Sequence, residues 1–264
     1  VGAILGVTAA QSGPVLAFIT TSRIMVVAVL LLFIIVKEPS VPPVDTKREI
    51  GIIDAARQVS FSEDRSAVAI LGAIFFWFFG YNAIETWFTK YGNEILGFAT
   101  ADASFLLNGI ALAFVIFAVP AGLIAGKIGR RRTILAGLVL IVVGLVGAWA
   151  VFDNYWLILG VLAIVGVGWA LVNVNSIVIV WELLGKSRLG AGTGLYYGAS
   201  MGAAIFGPLI TGILFDIALI MTGGLFGINL MYPVSIVFFI IAFFLTMAIK
   251  TGEVGDEEMS EVAA

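Results

Sequence analysis

The chain has 264 residues, is 61% hydrophobic and 12% charged, and carries a net charge of −3 with a mean hydropathy of +1.12. Soluble domains hold about 25% charged residues, so this composition excludes a water-soluble globule. It has no cysteine and no histidine, which excludes disulfides and thiolate metal centres and removes the usual proton shuttle.

Seven apolar stretches of at least 18 residues recur, each long enough to cross the roughly 30 Å hydrocarbon core as a helix. They are 14–36, 67–88, 104–125, 133–151, 156–181, 192–219 and 228–249. The expected fold class is therefore all-α, a polytopic membrane protein of seven transmembrane helices. Residues 1–13 (VGAILGVTAAQSG) read as the tail of an earlier apolar segment. They have neither the basic leader nor the cleavage site of a signal peptide, so the chain is expected to be a fragment.

The first span carries Arg23 near its middle. Loop 37–66 follows; KEPSVPPVDTKRE is linker-like in composition, and IGIIDAARQVSF reads equally as an amphipathic surface helix or as plain loop. The second span ends in GYNAIETWF, which places Tyr81, Asn82, Glu85 and Thr86 in an otherwise apolar run. A carboxylate there either snorkels at the membrane edge or acts inside as a gate or coupling acid.

The third span carries Asn108 and is expected to end at Pro120 and Gly122, before a tight basic turn over 126–132. The fourth is apolar all round and the last nearly so, which suits lipid-facing positions. In the fifth, Trp169, Asn173 and Ser176 share a face and Asn175 lies on another. An aromatic platform beside amides suits a sugar-like solute, whereas asparagines that bond across helices serve as interhelical glue.

In the sixth span, Gly190, Gly194, Gly198 and Gly202 recur every four residues, a pattern that lets helix backbones approach closely. Tyr196 and Ser200 share a face beside Tyr197. Polar residues in spans usually face the protein interior or a water-filled cavity. The second, third, fifth and sixth spans are thus expected to line a pathway through Tyr81, Asn82, Asn108, Trp169, Asn173, Asn175, Tyr196, Tyr197 and Ser200. The acidic tail, TGEVGDEEMSEVAA, has a composition typical of disorder.

Seven alternating crossings place 12 of the 14 basic residues on one side, with Lys90 opposite and Arg23 within a span. By the positive-inside rule that side is cytoplasmic, together with loop 37–66 and the C-terminus. The expected location is the cell (plasma or inner) membrane.

The run Gly122-Leu-Ile-Ala-Gly126-Lys127-Ile-Gly129-Arg130-Arg131 resembles the inter-helix signature of the major facilitator superfamily, G-x-x-x-D-(R/K)-x-G-(R/K)-(R/K). Gly126 occupies the aspartate position, so the family's full charge-relay lock is not expected from this copy. Glu182 resembles the acidic partner of that loop. The family has two six-helix halves joined by a long cytoplasmic loop. The resemblance therefore implies that 1–36 ends an N-terminal half, 37–66 links the halves, 67–249 forms the C-terminal bundle and 250–264 is a cytoplasmic tail. FFWFFGYNAIETWFTKYG, GWALVNVNS and GTGLYYGASMGAAIFGP look most like the bacterial branch related to sucrose/proton and glycoside–cation symporters.

The resemblance implies a secondary transporter that binds its solute near the midplane between two halves, expected to be a proton- or cation-coupled symporter of a sugar-like solute. Its implied partners are that solute, a coupling proton or cation, the bilayer and the missing N-terminal half; nucleic acid is not among them. Glu85 and Arg23 are the coupling or gate candidates. An exporter of drugs or metabolites on the same fold stays open, as does a non-transporting receptor or assembly protein. No enzyme, cofactor or metal is expected, because the chain has no histidine or cysteine, no phosphate-binding glycine loop and no inward-facing carboxylate pair.

Overall fold

The computed structural model describes residues 14–35, 65–151, 154–184, 189–222 and 226–249, with the single positions 51 and 57. Among them every regular element is a helix. In order these are α1 (Pro14–Ile35), α2 (Ser66–Glu94), α3 (Thr100–Ile128), α4 (Arg130–Ala150), α5 (Tyr155–Leu184), α6 (Leu189–Thr222), the short α7 (Phe226–Asn229) and α8 (Met231–Met247). Seven helical segments among the described residues are long and apolar enough to cross a membrane. Helices are the expected solution, because in lipid a backbone N–H or C=O must find its partner within its own segment. The linker, the segment 50–61, residues 1–13 and the acidic tail lie outside the described residues, apart from the single positions above.

The helices outrun the apolar stretches. At 1.5 Å per residue, the 29 residues of α2 extend about 43 Å, beyond the roughly 30 Å hydrocarbon core. The surplus carries the polar residues Lys90, Asn93 and Glu94 at one end.

α5 packs between α3 and α4, α2 packs between α6 and α8, and α8 also contacts α4, which joins the two groups. α2 and α5 each bury half of their best membrane-spanning window, whereas α6 buries 17% and α1 none. The core runs along Ile70, Ile74, Trp77, Ile84, Phe88, Leu138, Ile141, Leu162 and Val172.

Three expectations change. Pro120 does not end its helix, since α3 continues through it to Ile128. The break comes at Gly129, whose φ of 89° belongs to the left-handed region. α4 then starts at once, so the expected turn over 126–132 is mostly helical.

Three of the four glycines of the α6 seam, Gly190, Gly198 and Gly202, are also not pressed against another helix among the described residues. A Cβ added at Gly190 or Gly198 would meet nothing within 4 Å, and one at Gly202 only the Phe75 ring at 3.9 Å. Close approach occurs elsewhere. A Cβ at Gly137 would lie 2.7 Å from the carbonyl of Gly168, and the reverse holds at the same distance, where α4 crosses α5. At Gly166 it would strike the Ile110 carbonyl of α3, and at Gly207 it would lie 2.8 Å from the Phe79 carbonyl of α2.

Finally, the apolar helices α4 and α8 are not exposed all round, as uniform lipid contact would require. Each buries one face, through Ile134, Leu138 and Ile141 on α4 and Ser235, Phe239 and Ala242 on α8. Their opposite faces, with Val139, Val143, Val237 and Phe244, are exposed. Uniform hydrophobicity cannot tell a lipid face from a helix–helix face, because both are apolar.

Candidate functional site

Two polar constellations emerge, one at mid-bundle and one at the basic end. α2 and α5 run antiparallel, and Tyr81 and Trp169 both sit near their helix midpoints. Their rings stack at 4.1 Å between centroids with 5° between planes. Phe78 sets its edge against Trp169 at 5.2 Å and against Tyr196 of α6 at 6.2 Å. This aromatic group fills the junction of α2, α5 and α6. Trp169 is 5% exposed, and Tyr81, which covers one of its faces, is half-buried.

The polar groups around it are only partly committed. Ser176 donates to the carbonyl of Asn173 at 2.7 Å, and its oxygen lies 3.2 Å from the Tyr196 hydroxyl. The serine proton is thereby used, so the tyrosine is the donor in the second bond. Asn82 donates to the Phe78 carbonyl one turn back at 2.7 Å, which leaves its side-chain oxygen available. No hydrogen bond is formed by the side-chain amides of Asn173 or Asn108 among the described residues. Ser200 is buried and donates to the Tyr197 carbonyl at 3.3 Å, while Tyr197 is half exposed.

Glu85 is exposed on α2. The apolar stretch of α2 is 67–88, so for a span centred on it Glu85 lies about 11 Å from the midplane, in the outer part of the hydrocarbon depth. It makes no ion pair among the described residues. Arg23 is exposed on α1, and the two are not brought together.

At the basic end the signature residues are used as charges. Arg130 Nε donates to Glu182 Oε1 at 2.5 Å, with side-chain exposures of 28% and 15%. Its Nη1 donates to Asn175 Oδ1 at 3.3 Å. Arg131 donates to the carbonyls of Thr246 and Met247 at 3.2 and 2.6 Å. Three arginines at the start of α4 oppose its dipole. Arg130 offsets this by pairing with a carboxylate, and Arg131 by capping the negative C-terminus of α8. Gly122 is half-buried, Gly126 and Lys127 are exposed, and a Cβ at Gly126 would meet nothing within 4 Å.

Asn175 therefore leaves the pathway. It is fully buried, and its amide nitrogen donates to the carbonyls of Leu171 and Ala121 at 2.9 and 3.4 Å. With Arg130 on its oxygen, no polar capacity faces a solute. The residue that pattern reading missed is Asp216, exposed on α6 beside Lys90 and Glu94 in a shallow cleft at the end opposite the arginines. The signal was a lone carboxylate within GILFDIALI. Lys90 lies 3.8 Å from Glu94 and 5.7 Å over the Trp87 ring, and Trp87 donates to the Pro208 carbonyl at 3.1 Å.

The fold and these constellations define an integral, multi-pass helical membrane protein with a polar mid-bundle junction and a charged end. Residues 100–260 match the Major Facilitator Superfamily, and the chain belongs to that family, one of transporters rather than enzymes. No curated protein matches it.

Solved structures share the fold. One, described for substrate recognition in proton dependent oligopeptide transporters, has a TM-score of 0.64 at 21% identity, over 75% of this chain and 45% of that one. A bacterial homologue of the human drug peptide transporters PepT1 and PepT2 gives 0.63 at 21%, over 75% and 46%. FucP, a transporter of the same superfamily in the outward conformation, gives 0.61 at 16%, over 92% and 57%. The chain thus spans about half the length of these structures.

Proposed function

We propose that this chain supplies the C-terminal half of a secondary transporter that works by alternating access, and that it moves a sugar-like solute in symport with a proton or cation. The observation that carries the reading is the mid-bundle junction. The Tyr81–Trp169 stack stands at the level of helix α5 where, one turn on, Asn173 has its amide uncommitted, and polyols are recognised by stacking of their C–H face together with hydrogen bonding of their hydroxyls. The exposed face of α6 with its open glycines suits a surface that meets the other half, as does α1, which lies unpacked before the linker. Glu85, within the apolar depth and unpaired among the described residues, is the coupling acid of this half. Proton dependence is printed for a structural neighbour that carries peptides, which is a precedent for the fold only. In this orientation the arginine end and the C-terminus are cytoplasmic.

The test is uptake of a labelled sugar panel by the full-length protein in proteoliposomes, with and without a pH gradient. Gradient-driven accumulation of one sugar supports the reading. Uptake only of peptides, or extrusion of apolar cations, replaces it with a peptide carrier or an exporter of the same fold.

A further inference from the structure

We infer that Asn175 is a positioning residue that replaces the missing aspartate of the signature run, tying the arginine end of the bundle to the mid-bundle site. Gly126, where the signature has its acid, offers only a hydrogen to open space. The tie is made instead from α5. Asn175 accepts from Arg130 at the start of α4 and donates to the Ala121 carbonyl of α3 and to the Leu171 carbonyl of its own helix. One side chain thereby fastens three helices in a fully buried position, where each unmade bond would leave a polar group without water.

The next residue along α5 is Ser176, whose oxygen receives the Tyr196 hydroxyl, and Trp169 lies under two turns back toward the centre. α5 is consequently a rigid lever with the arginine tie on one face and the solute contacts on the other. When Arg130 leaves Glu182, Asn175 loses its acceptor bond as well. The arginine ends of α3 and α4 are then held to α5 by apolar packing alone, and that end of the bundle loosens. Asn175 never touches the solute in this account; it sets the spacing of the helices that do.

The inference rests on the alternating-access reading, and its test needs no solute. Ala125 is buried at the arginine end of α3, so a cysteine placed there in a cysteine-free full-length background reports opening of that end to a charged maleimide in membranes. Asn175→Ala and Arg130→Ala are each expected to raise the labelling rate about fivefold or more. The double variant is expected to rise no further than either single, because both break one linked network. Asn175→Asp keeps the acceptor for Arg130 but sets a carboxylate oxygen against the Ala121 and Leu171 carbonyls in place of the donor, so it is expected to raise labelling as Asn175→Ala does.

Unchanged labelling in Asn175→Ala, or a double variant equal to the product of the singles, overturns the inference. If Asn175→Ala does not yield folded protein, Asn175→Ser paired with Glu182→Gln is read in the same way. Uptake by the unmodified parent is scored separately, so loss of the transport reading and loss of the tie give different results.

Discussion

The crossing of α4 and α5 gives the sharpest stability prediction, because two glycines there stand against each other's backbone. A Cβ at Gly168 would lie 2.7 Å from the Gly137 carbonyl, 2.8 Å from Ile141 Cγ1 and 3.0 Å from Ile141 N. Two of those three atoms are backbone and cannot rotate away, so Gly168→Ala must push the helices apart. Overpacking of this kind costs about 1–3 kcal/mol, partly offset by about 1 kcal/mol of helix propensity gained. At Gly198 the same added methyl meets nothing within 4 Å, so only the propensity gain remains. At about 2–4 °C per kcal/mol for a domain of this size, the two variants should separate in opposite directions. Gly168→Ala is expected to lower the midpoint of heat inactivation of the 264-residue chain in detergent, and Gly198→Ala to leave it unchanged or raise it. A larger loss from Gly198→Ala than from Gly168→Ala would refute the assignment of the helix contacts.

Three further predictions concern function and the charged end. Trp169→Ala and Asn173→Ala are expected to weaken solute binding about tenfold or more with yield and monodispersity kept; loss of folded protein before any loss of affinity would make them interhelical glue. Glu85→Gln is expected to abolish gradient-driven accumulation while solute exchange across proteoliposomes continues, and retained uphill uptake would remove Glu85 from coupling. Arg131→Ala deletes two bonds to the last carbonyls of α8. It should cost about 1 kcal/mol, a charge-assisted contact discounted for exposure, and speed amide exchange in residues 244–248; unaltered exchange there would show the cap to be idle.

The spans and their order were legible because an apolar run of membrane length has few alternatives. So was the Arg130–Glu182 pair, because the resemblance to the signature loop implied Glu182 as its acidic partner. The packing faces were not. Gly168 and Gly198 look alike in sequence, and only the crossing of α4 and α5 decides which glycine is pressed against a carbonyl. Periodicity at four residues marked a seam on α6, yet Gly190 and Gly198 within it face open space among the described residues. Asn173 and Asn175 are two positions apart and chemically identical, yet about 200° of helix turn sends one toward the junction and the other into a buried network. The sequence showed that they face differently, but which face met Arg130 required the neighbouring helices. Pro120 misled for a related reason: in a bundle, neighbouring helices tolerate a proline that would end a helix in water.

The account's central claim is that the α2–α5–α6 junction binds the transported solute, and protection of a single cysteine tests it directly. Gly198→Cys places a thiol in open space on α6, two residues from Tyr196. In the full-length protein, maleimide labelling at that position should slow in the presence of whichever labelled sugar the proteoliposomes accumulate, at concentrations that follow its affinity. Labelling that stays constant at saturating concentrations of an accumulated solute would place the binding site elsewhere and contradict the account.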